Sequence, residues 1–453
     1  MVSWQHPAKD IMMINLPQGA SLIIERLADA GFDGFVVGGC VRDSLLGKNP
    51  EDWDITTPAK PDQISAIFAD QKQVNIGQRH GTISVKSHEQ YFEVTTYRID
   101  GIYSDGRRPD EVSFTHDLTA DLQRRDFTIN AMAYNQKTGL VDPFGGVVDL
   151  QARKIRCVGD ASTRFGEDYL RIIRAYRFSA VLDFCLEENT HKAAVAGRHN
   201  LHQIARERVQ AELAKLLTTN NFDAIKIFLD DCADTIFQDV ANLRGVAQTN
   251  DYHIYDVYNH TLEVLRHSSP TLHQRIAALF HDTGKAHTKT TDEAGIDHFH
   301  GHGEVSVEIA KKALKHWCFD NATTDRALNI IKYHGRTILP EKTAVKRFIS
   351  QVGVGVVADV LEFQVADNLG KSQKAIDTTL PRIFQAQKTL AQVLEEGEPA
   401  TVKDLVITGK DVMDLLNIPP SPAVGEHLSR LLEQVIQDPN LNTIETLKLL
   451  LKN

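Results

Sequence analysis

The chain has 453 residues, a formal net charge of −10 and five cysteines. This length exceeds one ordinary core and predicts two to four domains. An apolar fraction of 42% with 24% charged residues is that of a soluble globular protein; no apolar run reaches the length of a membrane span, and the acidic balance excludes non-specific coating of nucleic acid while allowing a local basic surface. Residues 1–16 lack the basic, apolar, small-residue order of a secretory signal. Cys40, Cys157, Cys185, Cys232 and Cys318 form no CxxC pair, so a reduced, cytoplasmic protein is expected.

Residues 1–150 mix helix and strand signals. "GASLIIERLADAG" has helical spacing and leads through Gly31 into the strand-like "FDGFVVGG". Gly38 and Gly39 allow the backbone to approach a phosphate, and the following "CVRDSLLG" reads as a helix whose N-terminus would face that anion. Arg42 sits in its first turns, within reach of the same phosphate. If "DWDIT" is a strand, alternation puts Asp52 and Asp54 on one face and turns Trp53 and Ile55 toward a core. Such a pair is either a set of surface acids or a shared site for divalent cations; hard oxygen ligands suit magnesium, which also takes phosphate oxygens. "TISVKS" and "QYFEVTTYR" read as strands. Glu93 in the second is a candidate third carboxylate, or a strand-face acid paired with Arg98. "IDGIYSDGRRPDEVSF", residues 99–114 with Arg107 and Arg108, reads as a mobile loop, and "DPFGGVVDL" as a turn followed by a short strand or loop. "RRDFTIN" brings together Arg124, Arg125, Asp126 and Asn130. Without further context it is a salt-bridged helix start with Asp126 as its N-terminal acid.

After residue 160 strand signals fade, and apolar residues recur at three- and four-residue spacing to the end of the chain. In "EDYLRIIRAYR", Asp168, Arg171, Arg174 and Arg177 recur every three residues, as neighbours on one helix surface. That spacing fits a salt-bridge ladder, but it also fits a base reader. Cytosine and adenine both show an amino donor beside a ring-nitrogen acceptor on their pairing edges, and guanine and uracil show the reverse. A carboxylate beside a guanidinium offers acceptor then donor, so Asp168 with Arg171 can take C and A and reject G and U. Of the 19 histidines, those that cluster between residues 253 and 334 are the informative ones. "NIPPSPAVG" is a stiff connection between two tail helices.

"VVGGCVRDSLLGKNPEDWDITT" resembles the opening motif of the class II tRNA nucleotidyltransferases, the CCA-adding enzymes and their bacterial poly(A) polymerase relatives. The match continues in order through "HGTISV", "EVTTYRIDGIYSDGRRPDEVSF", "DLQRRDFTINAMAYN", "DPFGGVVDL", "GEDYLRIIRAYRFSA" and "ERVQAEL", covering residues 35–215. The resemblance implies an α+β fold: a polymerase-β-like nucleotidyltransferase head (1–150), then an all-helical neck and body (151–245), an HD domain (246–370) and a helical tail (371–453). It also implies that Asp52 and Asp54 hold two Mg2+ ions, that Arg125, Asp126 and Asn130 meet the sugar and phosphates of the incoming nucleotide, that Asp168 and Arg171 bind its base with Arg174 and Arg177 extending the contacts, and that the loop at 99–114 helps switch from C to A addition. The implied activity is template-independent addition of CTP, CTP and ATP to the 3′ end of tRNA. The stretch "NIGQRHGTISV" departs from the Arg-rich form that marks poly(A) polymerases, and A-only enzymes tend to lose the loop kept here; A-addition or poly(A) synthesis is the alternative. The tail is expected to meet the tRNA elbow by shape and backbone. No membrane is implied, and protein partners are not indicated.

The order His260, His281-Asp282, His302, His334, Asp367 resembles the HD-domain metal phosphohydrolases. It implies a minimal metal site of His260, His281, Asp282 and Asp367, completed by His302 and His334 around a second ion. Imidazole and carboxylate ligands suit a divalent transition metal or Mg2+ rather than a thiolate-type zinc site. Lys285 could bind a phosphate, and His298 and His300 are expected outside the ligand set. The other readings are a vestigial domain that only supports tRNA, and an HD phosphohydrolase whose head is inactive.

Overall fold

A computed structural model describes residues 13–74, 81–101 and 112–452. The chain divides into two compact units, residues 1–236 and 237–453. The described residues form a mixed sheet with helices in the first unit and almost only helices in the second. No single helix among them is long and apolar enough to cross a membrane.

In the first unit α1 (Gln18–Asp29) buries Ala20, Ile23 and Leu27, one helical face. It leads to β1 (Phe35–Val37), α2 (Gly39–Leu45), β2 (Asp54–Thr57), α3 (Pro61–Ile67), β3 (Gln73–Val74), β4 (Thr82–Ser87) and β5 (Gln90–Thr96). The side chains of β4 alternate between buried and half-buried, as a pleated strand requires. The short pair β6 (Arg98–Asp100) and β7 (Val112–Phe114) flanks residues 102–111, so Arg107 and Arg108 lie outside the described residues, as do positions 75–80 of "NIGQRHGTISV". After α4 (Leu118–Gln123), β8 (Ala133–Asn135) and β9 (Gly139–Val141) complete a sheet ordered β3-β4-β5-β2-β1-β8-β9. Only the β2–β5 pair in it is parallel. Phe35, Val37, Tyr97, Leu122 and Ala133 pack in its core.

The helical part of this unit contains α5 (Gly146–Gln151), α6 (Ala161–Glu167), α7 (Leu170–Leu182), α8 (Glu188–Gly197), α9 (Arg206–Leu217) and α10 (Phe222–Ile236). Asp160 caps α6 by accepting from Thr163 N–H. α7 packs along α9.

The second unit runs through α11 (Gln238–Ala241), α12 (Val257–His267), α13 (Leu272–Phe280), α14 (Lys285–Thr288), α15 (His302–His316) and α16 (Asn321–Tyr333) to α17 (Lys342–Val352), α18 (Val354–Leu369) and α19 (Gln373–Glu395). The tail adds α20 (Gly409–Leu416), α21 (Pro422–Gln437) and α22 (Ile444–Lys452), which share a core of Leu405, Val412, Leu431, Val435 and Leu447. A second core joins Val345, Phe348, Val360 and Leu361 to Ile383, Ala386 and Val393. It therefore runs across position 370, where the sequence suggested a boundary: the break there is a turn between two helices packed on each other.

Candidate functional sites

The first site is built where β2 meets β5. Strand β2 begins at Asp54, so the expected "DWDIT" strand is shorter than the alternation argument assumed. Asp52 and Trp53 precede it; Trp53 is half-buried and Ile55 fully buried. Asp54 stands in register beside Glu93 on the parallel neighbour. Solvent reaches both carboxylates, yet their crowded surroundings push both toward the protonated form. For Asp54 the causes are burial and Asp52, with Arg125 opposing. For Glu93 they are burial, then Asp54 and Asp52. Three acids thus repel one another in one place, and a hard divalent cation would relieve that repulsion. The residues fit a divalent metal ion. Cys40 is buried beside Asp54, and its thiol is pushed up to about 11, so it stays protonated and is no nucleophile.

Gly38 has φ +83°, and a Cβ there would lie 2.9 Å from Arg125 Nη1. Glycine is what lets the Arg125 guanidinium lie against the backbone. Arg125 Nε is buried with no hydrogen-bond partner, and its nearest acid, Asp121, is 3.9 Å away; such a cation accommodates an anion. Arg42 holds Asp43 bidentately and donates to Asn130 Oδ1 at 2.7 Å. Asn130 and Phe127 N–H donate to Asp126 Oδ1, and Arg174 donates to Asp126 Oδ2 at 2.6 Å. Asp126 is therefore not a helix-start acid; it ties the "RRDFTIN" turn to α7. Burial raises its pKa, but Arg174 and Asn130 outweigh burial and hold it near 2. Glu212 of α9 continues the chain, receiving Arg177 and lying 3.6 Å from Arg174.

One aromatic ring organises these cations. The guanidinium carbons of Arg42, Arg174 and Arg177 lie 5.1, 5.3 and 3.9 Å from the Phe178 ring centroid, and Phe127 meets the same ring edge-on. Each contact is an attraction between cation and ring quadrupole.

The pairing of Asp168 differs from expectation. Asp168 is not on a helix face but extended, between α6 and α7. Its carboxylate takes Arg208 of α9, at 2.7 and 3.4 Å, and caps Leu170 N–H. Arg171 turns to Glu167 and to the carbonyls of Arg164 and Arg124. The helix break moves Asp168 out of the three-residue repeat, which is why spacing alone mispaired it. Arg208, Glu212 and Phe178 were missed by the sequence reading; the first two stand in "ERVQAEL", whose motif was noticed without a role.

The second site lies among α12, α13, α15, α16 and α18. His260, His281, Asp282, His334 and Asp367 are buried there, and His302 is half-buried. A Cβ on Gly284 would come within 2.1 Å of His302 O, so this glycine permits α15 to approach. Each imidazole Nδ1 faces a backbone carbonyl: His260 that of Gly370, His281 that of Ala278, His302 that of Phe299, and His334 that of Ile331, at 2.7–3.0 Å. A carbonyl only accepts, so Nδ1 carries the proton and Nε2 a lone pair. Those lone pairs face each other, 3.4 Å apart for His260 and His281 and 3.2 Å for His302 and His334. Asp282 spans them, Oδ2 at 3.1 Å from His281 and Oδ1 at 3.4 Å from His302. Asp367 reaches His260 at 3.1 Å. Burial holds the imidazoles of His260 and His334 neutral, the latter near 3. Burial alone would raise Asp282 and Asp367, but nearby cationic and imidazole groups keep both well below the usual carboxylate range. Opposed lone pairs beside two carboxylates are the donor set of a divalent cation, and carbonyl-oriented imidazoles are its usual second support. Two groups have metal-holding spacing: His260, His281 and Asp282, and Asp282, His302 and His334.

Lys285 is no free phosphate binder: its Nζ is bonded to Gln248 and Asp282. His298 and His300 stack on each other outside the ligand set.

The profile of the poly A polymerase head domain matches residues 34–156, that of a probable RNA- and SrmB-binding site of polymerase A matches 183–232, and that of a putative tRNA nucleotidyltransferase domain 2 matches 290–450. The CCA-adding enzyme of Leuconostoc citreum is 47% identical over 198 residues, 44% of this chain and 49% of that enzyme. The one from Lactobacillus helveticus is 43% identical over 224 residues, 49% and 55% of the respective chains. The match thus spans about half the length of these curated relatives. The crystal structure of the Bacillus stearothermophilus CCA-adding enzyme in complex with CTP superposes with a TM-score of 0.71 at 28% identity, over 96% of both chains. The motif order, the carboxylates on a mixed sheet and these likenesses agree: the chain is similar to the class II tRNA nucleotidyltransferases, the family of the CCA-adding enzymes.

Proposed function

We propose that the chain adds C, C and A to the 3′ end of tRNA, using CTP and ATP, as an enzyme of the bacterial cytoplasm. The observation that carries this is the Asp52, Asp54 and Glu93 group opposite Arg125, with Arg42, Arg174 and Arg177 converging on one ring. Asp52 and Asp54 would hold Mg2+, with Glu93 beside them; when bound, the ions lower the pKa of the tRNA 3′-hydroxyl and balance triphosphate charge. Gly38 and Gly39 give the triphosphate close access to backbone, and Arg42 and Arg125 supply its counter-charge. Asp126 and Asn130 fix the turn that carries Arg125 and complete the contacts to sugar and phosphates. Asp168 and Arg171 meet the base, with Arg174 and Arg177 behind them; on this reading base binding displaces Arg208 from Asp168. The helical tail meets tRNA by shape.

Offering tRNA ending before CCA, after C and after CC, with labelled CTP or ATP, tests this reading. Stepwise CTP, CTP, ATP incorporation is expected. Incorporation of ATP only, and only onto the CC end, would replace it by A-addition, and long A tracts on other RNA by poly(A) synthesis. If Asp54→Ala leaves the main activity of the chain untouched, the head is an inactive module.

The opposed Nε2 atoms favour a second reading alongside the first. His260, His281, Asp282 and Asp367, with His302 and His334, hold one or two divalent ions, of a transition metal or Mg2+, and serve a phosphohydrolase acting on a phosphoester at an RNA 3′ end, such as a 2′,3′-cyclic phosphate. Titration with Mn2+ of the full chain carrying Asp52→Ala and Asp54→Ala, which removes the head's carboxylates, should give binding that His281→Ala and Asp282→Ala abolish.

A further inference from the structure

A cavity of about 330 Å³ opens beside the histidine cluster, with His334 and Asp367 in its lining. Its other charged groups are Arg336, Lys371 and Arg382. Three cations against one carboxylate make it a positive pocket in a chain of charge −10. Two of the cations are engaged: Lys371 with Asp367 at 2.6 Å, and Arg336 with Gln351 at 2.6 Å while lying over Phe348. Arg382, half-buried on α19, makes no hydrogen bond or ion pair among the described residues.

Tyr252 also lines the cavity, and its ring is half exposed. Its backbone is fixed from two sides: Ser372 N–H donates to Tyr252 O at 2.9 Å, and Tyr252 N–H donates to Asn250 Oδ1 at 3.0 Å. Lys374 Nζ lies over one face of the ring, 5.5 Å from its centroid; a half-exposed ring on a tied-down backbone, with one face left to the cavity, is a stacking platform. His253 lines the same cavity, and its buried Nδ1 has no hydrogen-bond partner, where buried polar atoms are normally paired.

Resting on the metal-centre reading above, we propose that this cavity binds one nucleotide, its phosphate on Arg382 and Arg336 toward His334 and Asp367, and its base on Tyr252. A volume at the lower end of the range for ligand sites, about 300–1,000 Å³, admits a single nucleotide and no duplex. The shared chemistry is a phosphate-bearing nucleotide; its sources are a free mononucleotide or the last nucleotide of an RNA strand.

The test is calorimetric titration of the full chain loaded with Mn2+, comparing the unaltered protein with variants of the cavity. The probes are adenosine 3′-monophosphate, a 3′-phosphorylated RNA decamer and inorganic phosphate. Arg382→Ala should weaken nucleotide binding about ten- to a hundredfold, the worth of a charge-assisted hydrogen bond, with Arg382→Lys in between. Tyr252→Ala should weaken it about tenfold or more, with Tyr252→Phe unchanged, the signature of stacking. The affinity for Mn2+ should stay the same in all four variants. Tight binding of the decamer alone assigns the site to RNA ends, and equal binding of the mononucleotide assigns it to free nucleotides. If nucleotide affinity is indifferent to Arg382→Ala while Mn2+ still binds, or if phosphate binds as well as the nucleotide, the nucleotide site is overturned and the metal centre stands. If Mn2+ does not bind the unaltered chain, the metal reading itself falls.

Discussion

Asp54 is held at a cost to stability. Burial, with the charge of Asp52 and against the pull of Arg125, raises its pKa, so at neutral pH its ionised form destabilises the fold. Asp54→Asn removes that charge at almost constant shape. It should raise the melting temperature of the metal-free chain while lowering CTP incorporation on the order of a hundredfold or more; thermal unfolding and a labelled-CTP assay read the two effects, and a fall in both would contradict the role of the charge. Phe178 gives a second prediction. Phe178→Leu keeps an apolar side chain of similar size but loses the ring quadrupole under Arg42, Arg174 and Arg177. With cation–ring contacts worth about 0.5–2 kcal/mol each, KM for CTP and ATP should rise about tenfold with kcat less affected. Phe178→Tyr should restore it; equal loss in both variants would mean the residue serves packing alone.

At the scale of elements, the link between the "RRDFTIN" turn and α7 is an ion pair with a definite acid limit. Asp126 is held near 2, below the ordinary aspartate value of about 3.9. A lowered carboxylate contributes stability that is complete above its unfolded pKa and lost as pH falls through the folded one. This pair should therefore contribute about 2 kcal/mol near neutrality and lose it between roughly pH 4 and pH 2. In Asp126→Asn that part of the acid-unfolding curve should flatten, as circular dichroism against pH would show. These elements also mark how far the sequence could be read. The strand alternation of "TISVKS" and the glycines at the start of α2 were legible because each is a local pattern, and the His-Asp order because its succession along the chain resembles a known family. The partners of Asp168 were not: a break of helix at one residue, and an arginine 40 positions away, leave no periodic trace. Nor did the spacing reveal that Arg42, 136 positions from Phe178, shares its ring with Arg174 and Arg177; that follows from the sheet and α7 meeting in space.

For the whole molecule, the two candidate centres fall in different compact units, one before and one after residue 236. Hydrogen exchange on the full chain should separate them. Mg2+ with CTP should slow exchange in β2, β5 and α7, and Mn2+ alone in α12, α13 and α18; protection appearing in the opposite places would contradict the assignment. The composition foretold several domains but not the cut, since the residues around 236 belong to ordinary amphipathic helices. The turn at 370 looked like a boundary because a turn between packed helices and a linker between domains use the same residues.

The Asp168–Arg208 pair means that the base-reading position, on the proposed function, carries a resident competitor. A nucleotide does not fill an idle slot but evicts a guanidinium, so selection works as a threshold: C and A offer a replacement donor for the carboxylate, whereas G and U present an acceptor and leave the incumbent in place. Arg208→Ala would lower that threshold, and misincorporation of UTP relative to CTP should rise about tenfold, the worth of one such charged contact; an unchanged ratio would show that fidelity is set elsewhere.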